Sequence, residues 1–95
     1  MQLNYKLPDG NYFHIHTNDE GYYYDILNRN GKIIDGGVLE YSNVEYMEEE
    51  LLEELSYFTG INELRNMNKL KRVSQNFIDN LEENSSRKRI NENIR

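Results

Sequence analysis

Apolar and polar residues alternate along the first forty positions, and the spacing then changes to that of helices. Alternation with a period of two marks strands with one buried face. Three turn signals divide the alternating stretch into four segments. Leu7-Pro8-Asp9-Gly10-Asn11 suits a three-residue hairpin loop with Gly10 in the left-handed region. Asn18-Asp19-Glu20-Gly21 reads as a four-residue loop. Asn30-Gly31 reads as a two-residue hairpin turn, because both residue types tolerate positive φ. The expectation is an antiparallel β-meander of four strands.

The turns imply a register. Leu7 pairs with Asn11, Tyr5 with Phe13 and Leu3 with Ile15; then Ile15 with Tyr24 and Phe13 with Ile26. Beyond the third turn, Arg29 pairs with Lys32, Ile26 with Asp35 and Tyr22 with Leu39. One face then gathers Leu3, Tyr5, Leu7, Phe13, Ile15, Tyr22, Tyr24, Ile26, Ile33 and Leu39. A slip of one residue would scatter this set, so its coherence supports the register. Asp35 is the misfit. The opposite face carries Tyr12, His14, His16, Tyr23, Asp25, Leu27, Ile34, Gly36 and Val38.

Helical spacing follows. Ser42 and Glu45 form a capping box. Val44, Met47, Leu51, Leu55 and Phe58 make an inward stripe, and Gly60 stops the helix. A second helix is expected from about Asn62 to Glu83, with Leu64, Met67, Leu70, Val73, Phe77, Ile78 and Leu81 on its apolar face. The fold class is α+β: a four-stranded antiparallel β-meander followed by two α-helices in two layers. Residues 1–83 form a single domain, and residues 84–95 a basic flexible tail.

Ninety-five residues support one modest core and leave little margin for an enclosed catalytic cleft. The chain has no cysteine, which removes disulfides and thiolate metal sites and fits a reducing cytoplasm. No apolar run approaches the roughly 20 residues that span a bilayer. Residues 1–6 lack the features of a signal peptide. A cytoplasmic protein of a bacterial cell is expected.

The net charge of −6 conceals a division. Residues 1–60 hold three bases against twelve acids, a net −9, and residues 61–95 hold eight against five, a net +3. Such asymmetry speaks to partners rather than to fold. The run NVEYMEEELLEELSYF, residues 43–58, carries six glutamates and no base. Glu45, Glu48, Glu49, Glu50, Glu53 and Glu54 lie off the inward stripe. Glu49 with Glu53, and Glu50 with Glu54, repel at i,i+4 spacing. A solvated helix face explains their exposure but not the lack of any base. A row of carboxylates can also imitate a phosphate backbone and enter a basic groove.

The second sheet face holds a different chemistry. His14 and His16 point the same way, with Asp25 opposite His14, Tyr23 opposite His16 and Leu27 opposite Tyr12. Such a set could bind a metal or move a proton. The ordinary reading, a cross-strand polar contact, is the favoured one. No nucleophile motif, phosphate loop or second carboxylate accompanies it. Neither catalytic residues nor a cofactor is assigned. Tyr12, His14, His16, Tyr23 and Asp25 are instead candidates for a partner or self-association surface. Base stacking on the aromatics is opposed by the acidic charge around them. Nucleic acid would meet Lys69, Lys71, Arg72 and the Arg87-Lys88-Arg89 cluster, whose simpler role is solvation.

The run YKLPDGNYFHIHTNDEGYYYDILNRNGKIIDGGVLE resembles small large-polyvalent-protein-associated domains from mobile elements of low-GC bacteria. There a Leu-Pro-Asp-Gly turn leads a meander ending in Asp-Gly-Gly-Val-Leu, here Asp35 to Leu39, before an acidic helix. The resemblance covers about residues 3–55. It implies a phage, plasmid or integrative-element setting and carries over no catalytic residue. Small acidic proteins of that setting look like inhibitors of host defence, such as anti-CRISPR proteins. The expected function is therefore a non-catalytic inhibitor that lays its acidic helix in a basic groove, for instance that of a CRISPR effector. The alternative is a nucleic-acid-associated accessory protein acting through the basic second helix and tail.

Overall fold

A computed structural model describes residues 2–17, 21–40 and 46–81. Strands β1 (Gln2–Lys6), β2 (Tyr12–Thr17), β3 (Gly21–Leu27) and β4 (Ile33–Glu40) form the antiparallel meander. Leu3 faces Ile15, Tyr5 faces Phe13, Phe13 faces Ile26, Ile15 faces Tyr24 and Tyr22 faces Leu39, as the turns imply.

The third turn departs from expectation. Asn28 N–H donates to the Lys32 carbonyl at 2.8 Å, and Gly31 N–H to the Asn28 carbonyl at 3.0 Å. The loop is thus Arg29-Asn30-Gly31, and the pair closing it is Asn28 with Lys32, not Arg29 with Lys32. Gly31 alone takes positive φ, +85°. Asn28 explains the choice. Its side-chain oxygen accepts from the N–H groups of Asn30 and Lys32, at 2.9 and 3.0 Å, and favours the longer loop. The one-residue change is absorbed by a β-bulge. Leu27 faces Ile33 while Ile26 still faces Asp35. Ile33 therefore joins the Leu27 face, and Ile34 lines a hollow with Leu7, Ile26 and Ile61.

Helix α1 (Glu48–Thr59) starts later than expected. Met47 is its N-cap and supplies no side-chain cap; Ser42, Val44 and Glu45 lie outside the described residues. Gly60 ends the helix at φ +79°, donating its N–H to the Ser56 carbonyl. The helix is also rotated from the expected stripe. Leu51, Leu52, Leu55 and Ser56 are buried, whereas Met47 is 73% and Phe58 54% exposed. Leu51, Leu52 and Leu55 pack on Leu3, Tyr5, Phe13, Ile15 and Tyr24. The physical reason is the Leu51-Leu52 pair. Burying both swings the helix centre toward residues 52 and 55 and carries Phe58 outward. Glu48 is drawn in with them, accepting a hydrogen bond from the Tyr5 hydroxyl and pairing with Arg72 at 3.4 Å.

The expected helix over residues 62–83 is broken. Two 3₁₀ turns, Asn62–Arg65 and Met67–Lys69, precede the short strand β5 (Lys71–Arg72). The chain there pairs antiparallel with β1, giving a five-stranded sheet in the order β4-β3-β2-β1-β5. Asn66 interrupts the helix, its side chain accepting from Asn68 N–H at 3.1 Å. Helix α2, described over residues 75–81, begins after Ser74, whose hydroxyl accepts from Phe77 N–H at 3.1 Å. Leu64 is buried with α1, but Met67 and Phe77 are exposed.

The layers differ as well. Ile78 of α2 packs with Tyr12 and Leu27, flanked by Val73 and Leu81, on the face opposite α1. The sheet thus carries one helix on each face instead of two on one. The strand β5 causes this, because it returns the chain to the β1 edge with α2 on the far side. Residues 84–95 lie outside the described residues.

The rotation of α1 has a direct test. Leu52→Ala should cost about 3 kcal/mol in urea unfolding, the usual cost of a cavity at a buried leucine. Phe58→Ala, which loses only an edge-on contact of the half-exposed ring with Tyr24, should cost clearly less, about 1 kcal/mol. Comparable losses would restore the stripe expected from spacing.

Candidate functional site

The second sheet face is built as rows across strands. Asn4, His14, Asp25 and Gly36 occupy one row, and Gln2, His16, Tyr23 and Val38 the next. Helix α2 covers the Tyr12 and Leu27 end and leaves the His16 end half-buried. His14 is 6% and Asn4 3% exposed. Of the expected partner-surface residues, Tyr12 and His14 are thus covered, while His16, Tyr23 and Asp25 stay half-buried.

The polar groups on this face form one directed chain, from exposed Asp79 through half-buried Gln75 to buried Asn4 and His14. Asp79 is an acceptor, so the Gln75 amide turns its NH₂ to it, at 2.9 Å. The Gln75 carbonyl then accepts from Asn4 Nδ2 at 3.1 Å. Asn4 Oδ1 is left facing His14 Nδ1, which must donate. His14 Nε2 therefore keeps its lone pair and accepts from His16 Nδ1 at 3.1 Å. The His16 ring stacks on Tyr23 with centroids 5.4 Å apart. Burial, and after it the charge of His16, hold His14 below its ordinary pKa, with Asp25 and Asp79 opposing. His14, His16 and Asp25 place one ligand atom each within 4.8 Å of one another. Gly36 admits the carboxylate, since a Cβ there would lie 3.0 Å from Asp25 Oδ1.

The second surface is the outward face of α1. Glu49, Glu53 and Tyr57 form one i,i+4 row, and Glu50, Glu54 and Phe58 the next. All six are exposed, Tyr57 at 63%. Arg65 lies over the Tyr57 ring at 5.0 Å. Glu48 stands apart from these rows, engaged by Tyr5 and Arg72. Lys69 and Lys71 are exposed beside Arg72, while Arg87, Lys88 and Arg89 lie outside the described residues.

Residues 1–85 match the family model described as large polyvalent protein-associated domain 16. The chain belongs to that family. The match runs through the basic segment and α2, well past residue 55, so the whole described fold is the domain. No curated protein and no solved structure matches the chain. Among the described residues, no helix is long and apolar enough to cross a membrane.

Spacing alone missed Asn4, Gln75, Asp79, Tyr57 and Phe58 as site residues. Asn4 had a signal: the turn-derived register already sets it opposite His14. Gln75 and Asp79 had none, because their role depends on β5 returning the chain.

His14 makes folding sensitive to acid. Below the ordinary histidine pKa of about 6.5, the unfolded chain is protonated at this residue before the folded one. Stability from His14 is therefore present above that value. It is lost as pH falls toward the depressed folded value. The urea midpoint should drop between pH 7.5 and 5.5, and drop less in His14→Gln. Equal drops would show that His14 titrates freely in the folded state.

Proposed function

We propose that this polyvalent-protein-associated domain is a non-catalytic binding module of mobile elements whose partner is a protein with a basic, nucleic-acid-binding groove. The two acid-then-aromatic rows of α1 carry this reading. Glu49, Glu50, Glu53 and Glu54 supply a line of negative charge that meets no base within the helix. Tyr57 and Phe58 end the rows with exposed rings, the residue type that anchors interfaces. A basic groove would relieve the carboxylate repulsion and speed association by charge attraction. Inhibition of a host defence enzyme, such as a CRISPR effector, in the bacterial cytoplasm fits a module of this charge from such elements.

The reading is tested by capturing partners from the natural host with the parent and with a variant carrying Gln at positions 49, 50, 53 and 54. The variant should bind the captured groove protein at least tenfold more weakly, and added salt should weaken the parent. Undiminished affinity would remove the acidic rows from the interface.

The nucleic-acid alternative rests on Lys69, Lys71, Arg72 and the 87–89 cluster. It predicts a shift of DNA or RNA in a gel at physiological salt that disappears on deleting residues 84–95. The protein-groove reading predicts no shift with either chain.

A further inference from the structure

The His14, His16 and Asp25 cluster points to a second activity, on the sheet face opposite α1. We propose that these three side chains bind a divalent transition cation of the zinc class, with Asn4 orienting His14.

The imidazole geometry is close to what a tetrahedral ion requires. Zinc–nitrogen bonds of about 2.0–2.1 Å place two ligand nitrogens about 3.3 Å apart. His14 Nε2 and His16 Nδ1 are 3.1 Å apart. One ligand atom from each of the three residues lies within 4.8 Å of the others, and the half-buried Asp25 carboxylate can rotate toward the imidazoles. Gly36 leaves the space for that rotation.

The tautomer of His14 is also the one a metal needs. The chain from Asp79 through Gln75 and Asn4 places the His14 proton on Nδ1 and the lone pair on Nε2. Metal-bound histidines ordinarily donate their other ring N–H to a carbonyl or carboxylate, and Asn4 Oδ1 fills that place. His16 differs, since its Nδ1 proton occupies the shared position. On binding, that proton moves to Nε2, and the cation replaces the hydrogen bond between the rings.

The donor set selects the ion. Two imidazoles and one carboxylate suit zinc and its neighbours, whereas magnesium and calcium prefer oxygen alone. Three protein ligands leave one position open toward solvent at the half-buried His16 end. The same hydrogen-bond chain enters α2 at Gln75 and Asp79. Metal binding therefore stiffens the seat of α2 on the sheet.

Untagged, chelator-stripped full-length protein titrated with Zn²⁺ in a calorimeter should bind one ion per chain, while Mg²⁺ binds none. The thermal midpoint should rise with zinc concentration. His16→Gln and Asp25→Asn, near-isosteric changes at half-buried positions, should each weaken zinc binding at least tenfold. On the unaltered protein, zinc should shift the ¹⁵N resonances of His14 Nε2 and His16 Nδ1, and leave His14 Nδ1 protonated. Undiminished zinc binding in both variants, or imidazole resonances unmoved at saturating zinc, overturns the proposal.

Discussion

Asn4 is the residue on which the arrangement turns. Its side chain is buried and engaged at both ends, by His14 on the sheet and by Gln75 on α2. Its carbonyl accepts from Val73 N–H at 3.0 Å, just beyond β5. An unpaired buried amide costs about 1–3 kcal/mol per unmade hydrogen bond, so Asn4 demands these partners. Supplying them requires the chain to leave α1, run along the β1 edge and start α2 on the opposite face. A continuous helix over residues 62–83 would deny Asn4 both contacts.

The two faces consequently differ in kind. The α1 face is closed by leucines and aromatic rings, with polar links from the Tyr5 hydroxyl to Glu48, Arg72 beside it, and from Tyr46 N–H to the Tyr22 hydroxyl at 3.4 Å. Burial, then Glu48, hold the Tyr5 hydroxyl above its ordinary pKa, so it remains a donor at any physiological pH. The α2 face is closed at one end only and carries polar rows through its middle. Neighbouring glycines of β4 serve both faces. Gly36 clears room for Asp25, while a Cβ on Gly37 would strike the Tyr24 ring on the other side.

Much of the sheet was legible because turn chemistry and period-two patterning are local. The β1–β2–β3 register emerged from two loops and needed no tertiary information. The third loop misled because Asn28 outcompetes the Asn30-Gly31 pair, and that preference became visible only in its hydrogen bonds. Helix rotation was harder. Met47 and Phe58 extend the stripe of Leu51 and Leu55 as well as Leu52 does, and spacing cannot rank them. The second helix held only over 75–81, for a different reason: apolar residues at helical spacing over 64–70 also satisfy two 3₁₀ turns leading into an edge strand. His14, His16 and Asp25 were placed together correctly, but the supporting Asn4–Gln75–Asp79 chain depends on contacts across 71 positions of sequence.

The charge layout can now be divided by cause. Glu48 belongs to the fold, since β1 and β5 hold it. The four exposed glutamates of α1 do not, because the burial of three leucines outweighs their mutual repulsion of a few tenths of a kcal/mol per pair. Among the described residues, Arg65 and Arg72 do not relieve them. Arg72 is engaged by Glu48, and Arg65 rests on Tyr57 and bonds Asn62. The fold is therefore indifferent to these carboxylates: they sit on α1 at a small cost that its buried leucines outweigh. The histidine cluster lies across the sheet, held by a separate network that shares no side chain with the acidic rows. Changes at one surface should therefore leave the other intact, and a partner seated on α1 would not occlude a cation held between β2 and β3.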